Sequence, residues 1–115
     1  MDYIDGFVAA VATNKKEEYR KVALAAAAVF REFGALSVVE CWGDDVPPGK
    51  LTSFPLAVKS QPDEVVVFSW VRWPNKTVRD QGMQRVMEDP RMRNAEMPFD
   101  GSRMIYGGFQ MIVDA

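Results

Sequence analysis

The chain has 115 residues, 48% hydrophobic and 26% charged, with a formal net charge of -2. That is enough apolar material for the core of one ordinary domain and too much for a disordered segment. With no His and one Cys, it excludes Ser-His-Asp and Cys-His nucleophile pairs, imidazole or Cys-cluster metal sites and an internal disulfide.

The slightly acidic balance speaks against a nucleic-acid footprint, which needs a basic stripe. No basic-then-apolar signal segment stands at either terminus. The longest apolar run, around Val22–Phe30, is far short of a membrane span, so a soluble cytoplasmic protein is expected. Any catalysis falls to carboxylates, Tyr, Lys, Arg, Cys41 or a bound cofactor, and no cofactor or metal site is expected.

Tyr3–Val11 alternates and reads as a first strand. Tyr3, Asp5, Phe7, Ala9 and Val11 point one way; Ile4, Gly6, Val8 and Ala10 point the other. The second set is small and suits close packing under a helix. Thr13 or Asn14 can cap a helix starting near Lys15, with Glu17 and Glu18 at the favourable end of its dipole. Tyr19, Val22, Ala23, Ala26, Ala27, Phe30 and Phe33 recur at three- and four-residue steps and form its buried stripe. Gly34 fits a left-handed C-cap.

Ala35–Gly43 is the second strand, with Leu36, Val38, Glu40 and Trp42 on one face and Ser37, Val39 and Cys41 on the other. Asp44–Gly49 is a Pro- and Gly-rich loop. Ser53 followed by Pro55 favours a short helical turn within Leu51–Ser60, although Phe54, Leu56 and Val58 also alternate like a strand. Glu64–Trp73 is the strongest strand signal, bounded by Gln61-Pro62-Asp63 and Pro74. Val66, Phe68 and Trp70 share one face with Glu64 and Arg72; Val65, Val67, Val71 and Trp73 share the other. Asn75 can cap a helix over Lys76–Asp89, stopped by Pro90. Its inner side is Val78, Gly82, Met83, Val86 and Met87, with Gly82 marking a close backbone approach. Arg91–Phe99 is an irregular connection, Asp100-Gly101 a turn, and Arg103–Val113 the last strand. Gly107-Gly108 within it suggests a bulge or close contact.

Strand, helix, strand, strand, helix, strand is the split βαβ, ferredoxin-like α+β order. It gives a four-stranded antiparallel sheet with both helices on one face. Apolar side chains occur on both faces of every strand, so the face away from the helices needs cover. A second copy of the sheet is the simplest cover, and a homodimer is expected, with a small-molecule pocket between its sheets.

Several segments carry a resemblance. They are Tyr3-Ile4-Asp5-Gly6-Phe7-Val8, Val38-Val39-Glu40-Cys41-Trp42-Gly43-Asp44-Asp45-Val46-Pro47, Val67-Phe68-Ser69-Trp70, Met97-Pro98-Phe99-Asp100-Gly101 and Arg103-Met104-Ile105-Tyr106-Gly107-Gly108-Phe109. Together they resemble the YbaA-like family of small bacterial proteins of unknown function. The resemblance covers nearly the whole chain. It implies the dimeric α+β barrel superfamily, which also holds small monooxygenases, and no settled catalytic residue.

Four charges inside strands, Asp5, Glu40, Arg72 and Arg103, are the candidate catalytic groups: a carboxylate as base and an arginine as anion partner. The plainer alternative is structural ion pairs. Phe7, Trp42, Phe68 and Trp70, with Tyr106 or Tyr3 supplying a hydroxyl, are candidate pocket residues; the alternative is core packing. Cys41, with no His to activate it, reads as a buried thiol rather than a nucleophile. Asp44-Asp45 supplies too few oxygens for a hard cation. Gly107-Gly108 lacks the spacing of a phosphate loop. Three functions fit: a cofactor-independent oxygenase or isomerase-like enzyme, a non-catalytic dimeric binding or assembly module, and RNA binding on Phe68 and Trp70, which the acidic chain and Glu64 disfavour.

Overall fold

The computed structural model describes residues 1–115. Its strands are β1 (Tyr3–Ala12), β2 (Ser37–Trp42), β3 (Glu64–Trp73) and β4 (Ile105–Gln110). Its helices are α1 (Lys16–Glu32), α2 (Phe54–Ala57), α3 (Lys76–Glu88) and α4 (Pro90–Arg93). All strand pairs are antiparallel, in the order β2-β3-β1-β4, as the ferredoxin-like arrangement requires. No helix is long and apolar enough to cross a membrane.

The register fixes the faces, because directly opposed residues share one. Tyr3 pairs with Trp73, Asp5 with Val71, Phe7 with Ser69 and Ala9 with Val67. These residues, with Val38, Glu40 and Trp42 of β2, look toward α1 and α3. Here the sequence expectation is corrected: the small set Ile4, Gly6, Val8 and Ala10 lies on the face away from α1 and α3. A large residue decides it. Trp73 is fully buried, with Phe30 of α1 packed edge-on at 6.2 Å. It fits only because α3 has no side chain at Gly82, where a Cβ would lie 2.5 Å from Trp73 Cζ3 and 2.5 Å from the carbonyl oxygen of Phe33. Gly34 closes α1 at φ 112°, in the left-handed region that favours glycine.

Val8 and Ala10 are nevertheless buried, by a part of the chain the sequence leaves ambiguous. Ser53 accepts from the N–H of Leu56 and caps α2, with Pro55 in the first turn. The turn drops Val58 onto Val8, Ala10 and Val66, where it is fully buried. Part of the second face is therefore covered within the chain. Phe68 and Ile105, which flank Val8 in its own row, and Phe109, opposite Ile4, remain 44%, 45% and 61% exposed. Phe54, Phe68 and Trp70 form an aromatic row on that face, with ring centroids 5.8 and 5.7 Å apart.

Other boundaries differ modestly. β4 begins at Ile105 rather than Arg103, because Gly101–Arg103 forms a single tight turn whose Asp100 carboxylate accepts from the N–H of Ser102. Asp89 likewise caps α4 inside the stretch expected to be irregular. Gly107 and Gly108 continue the ladder opposite Gly6 and Asp5, so they form a close contact and not a bulge. A Cβ at Gly108 would sit 2.5 Å from the Tyr3 hydroxyl. Cys41 is exposed on the open face rather than buried, on an edge strand flanked only by β3.

Candidate functional site

Glu40 is the one charged residue on the helix-facing side of β2, between Val38 and Trp42. Its cross-strand partner is the buried Ser69. Above it, α1 brings in Tyr19, whose hydroxyl donates to Glu40 Oε1 at 2.6 Å. Tyr19 is held in place by Trp42 on one side, at 6.3 Å, and Phe99 on the other, at 6.1 Å. Beside the pair lies a cleft of about 180 Å³ lined by Lys16, Tyr19, Arg20, Glu40, Cys41, Trp42 and Val67. A cavity on the order of 150 Å³ accommodates a benzene ring, so this recess has the size of one ring.

The electrostatics of the pair are asymmetric. Loss of hydration pushes the Glu40 carboxyl above its ordinary value, against the opposing hydrogen bonds of Tyr19 and Ser69. Loss of hydration and the adjoining Glu40 drive the Tyr19 phenol far upward. Of the two, Tyr19 is the group that keeps its proton. The arrangement provides a proton acceptor, a fixed neutral donor and an aromatic wall in one recess.

The other three candidate charges lie apart from Glu40 and from each other, and Arg103 stands in the turn before β4 rather than in a strand. Asp5 is buried under α3 and accepts from Arg79 Nη2 at 2.8 Å, Arg79 Nε at 3.0 Å and Trp73 Nε1 at 2.9 Å. Arg79 also stacks on Tyr3, 5.1 Å from the ring centre. Arg72 lies on the open face, tied to Asp2 and, at 3.2 Å, to Asp114 near the C-terminus. Arg103 clamps Glu64 with both terminal nitrogens at 2.8 Å and bonds Asp100 and the carbonyl of Lys59. Those three are ion pairs that fasten α3, the termini and the segment after α2 to the sheet.

The aromatic candidates also divide. Trp42 walls the cleft. Phe7 and Tyr106 stack together at 6.5 Å on the β1–β4 side of the helix-facing surface. Phe68 and Trp70 belong to the opposite, open face. A wider groove of about 430 Å³ runs past Gly43, Asp44, Gln61 and Glu64, but Glu64 is already engaged by Arg103.

Tyr19 and Arg79 are the residues that reading the sequence alone passed over. A signal existed for Tyr19. A tyrosine in a buried helical stripe needs an acceptor, and a lone glutamate on an apolar strand face needs a donor.

The family model described as a protein of unknown function (DUF1428) matches residues 2–101. The chain belongs to the DUF1428 family. One DUF1428 relative is the uncharacterized protein YbaA of Escherichia coli strain K12, 57% identical over 116 residues and aligned over 99% of each chain. Among solved structures, the chain is similar to SnoaB, a cofactor-independent oxygenase from Streptomyces nogalater, with TM-score 0.55 and 12% identity over 99% of this chain and 97% of that one. It is also similar to an uncharacterized NIPSNAP domain protein from Burkholderia xenovorans, with TM-score 0.56 and 12% identity over 98% and 97%. At such identities the likeness is one of fold. This DUF1428 chain thus shares a backbone arrangement with those proteins, and its side chains speak for its own chemistry.

Proposed function

We propose that this protein binds a small planar molecule in the Tyr19–Glu40 cleft and exchanges a proton with it. The observation that carries this reading is the solvent-accessible carboxylate of Glu40, hydrogen-bonded by the Tyr19 phenol at 2.6 Å beside a ring-sized recess. Glu40 takes a proton from a C–H or O–H of the ligand. Tyr19 holds Glu40 in place and retains a proton to offer an oxygen that becomes negative as the transfer proceeds. Such a transfer opens an isomerisation or a cofactor-independent oxygenation. That SnoaB, of similar fold, is a cofactor-independent oxygenase supports this class of chemistry.

Two NMR measurements test it. In the first, single-ring fragments are titrated into labelled protein. Shift changes are expected to gather at Lys16, Tyr19, Glu40, Trp42 and Val67; changes confined to the open sheet face, or none, overturn the reading. In the second, the side-chain carboxyl of Glu40 is followed against pH. Its midpoint is expected above the ordinary glutamate value, and higher still in Tyr19→Phe, which removes a hydrogen bond favouring the ionised form. The sign for stability follows. A carboxyl raised on folding contributes stability fully present below its unfolded value, and this is lost as pH rises through the folded value. Relative to Glu40→Gln, the native protein is therefore expected to lose stability over that interval.

The same reading includes a homodimer joined through the open sheet face, with the cleft left accessible on the other side. Phe68, Ile105 and Phe109 are supported in this role by their exposure beside Trp70 and Phe54. Exposed apolar patches of several hundred Å² mark interaction surfaces. Sedimentation at micromolar concentration is expected to give twice the 12.9 kDa chain mass. Phe68→Asp combined with Phe109→Asp is expected to yield single chains, since two carboxylates would be buried without partners in each copy. A native protein that sediments at 12.9 kDa at tens of micromolar rules the dimer out.

A further inference from the structure

Lys16 and Arg20 both border the cleft, one helical turn apart on α1, and the proton transfer uses neither. Lys16 Nζ stands 5.7 Å from the centre of the Trp42 ring and enters none of the ion pairs of the chain. Arg20 is held by Glu17 through its Nε at 3.0 Å, which leaves its two terminal nitrogens without a protein acceptor. Glu40 is the only acid lining the recess, and one of its oxygens already accepts from Tyr19. The cleft thus has one cation without a carboxylate partner, Lys16, beside the free terminal nitrogens of the Glu17-paired Arg20, with Trp42 as its aromatic wall and Glu40 as a proton acceptor.

We infer that the cleft takes a planar aromatic or enolic acid. The ring lies along Trp42 and Val67, the anionic group sits between Lys16 and Arg20, and the exchangeable proton faces Glu40. This rests on the cleft being the ligand site. An anionic group can pair with Lys16, which no carboxylate of the chain engages, and reach the terminal nitrogens that Arg20 leaves free of Glu17; a cationic ligand finds no such partner there. An anion held at the mouth also stays apart from Glu40, so the acid group and the proton-bearing atom belong at opposite ends of the ligand. The recess limits the body of the molecule to about one ring.

Benzoate and benzamide test this, since they match in shape and differ in charge. Each is titrated into labelled protein by NMR, in the native chain and in Lys16→Gln/Arg20→Gln. Both substitutions are at exposed positions, so the variant is expected to fold, and its spectrum checks that directly. Benzoate is expected to bind in the millimolar range typical of fragments and several-fold more tightly than benzamide. The double variant is expected to weaken benzoate about threefold to tenfold, as two partly exposed ion pairs would, and to leave benzamide within about twofold. Raising salt to about 0.5 M reproduces the loss for benzoate alone. Equal binding of the two probes, or benzoate binding that ignores the double substitution, overturns the anion assignment while leaving the cleft as a ligand site. If neither probe moves the resonances of the cleft at tens of millimolar, the ligand site itself is refuted.

Discussion

Arg79→Ala is expected to destabilise the protein by about 3–5 kcal/mol, the usual cost of breaking a buried ion pair from one side. Asp5 is 3% exposed and sits on the interior strand β1, with β3 on one side and β4 on the other. Arg79 supplies three of its contacts and Trp73 Nε1 the fourth. Without the guanidinium, the carboxylate keeps one neutral donor in a site closed to water. Urea unfolding checks this directly. With a slope of about 1–2 kcal/mol per molar, the midpoint is expected to fall by roughly 2–3 M, enough to leave the variant partly unfolded in buffer. Asp5→Asn/Arg79→Met is expected to recover most of the loss. The amide still accepts from Trp73, and no charge is left behind. If Arg79→Ala stays within about 1 kcal/mol of the native protein, an amount typical of a surface pair, the Asp5–Arg79 contact is not the fastening of α3 described above.

Gly82→Ala is the second large effect, and its sign is informative. In an exposed helix, alanine in place of glycine stabilises by about 1 kcal/mol. Here the added methyl would stand 2.5 Å from both the Phe33 carbonyl and the rim of Trp73. One neighbour is backbone and the other a fully buried indole, so neither yields without moving α1 or α3. Overpacking of this kind costs about 1–3 kcal/mol, and a net loss is expected in spite of propensity. Thermal unfolding of the variant against Gly101→Ala isolates the cause, because a Cβ at Gly101 meets nothing within 4 Å. The control is expected to stay within about 0.5 kcal/mol. A stabilised Gly82→Ala protein would mean that the contact between α3 and Trp73 is loose.

Much of this fold was legible in the residues. Val-, Phe- and Trp-rich alternation marks β3, the Tyr19-to-Phe33 stripe marks α1, and Ser53 with Pro55 marks α2. What alternation cannot say is which of two apolar faces the helices choose. In β1 both sets are apolar, and the smaller one, with Gly6 and Ala10, looked better suited to a helix. The decision lies in a match between elements, the bulk of Trp73 against the gap at Gly82, which no single segment displays. The site was half legible for the same reason. Glu40 and Trp42 stood out within their strand, but the cleft needs Tyr19 from another element. Asp5, Arg72 and Arg103 stood out equally, and only the register reveals that each has its own partner. Phe68 and Trp70 were grouped with Phe7 and Trp42 by residue type, whereas the pleat sends them to opposite sides.

The position of β1 has a consequence for how the chain is made. It lies in the interior of the sheet, yet both of its neighbours come much later in the sequence, at residues 64–73 and 105–110. During synthesis at about 5–20 residues per second, the first strand emerges and then waits several seconds for its earliest mate. Until then its aliphatic side chains and its hydrogen-bonding edges are unmatched on the ribosome. Such non-local pairing slows folding and leaves the nascent chain open to sticking.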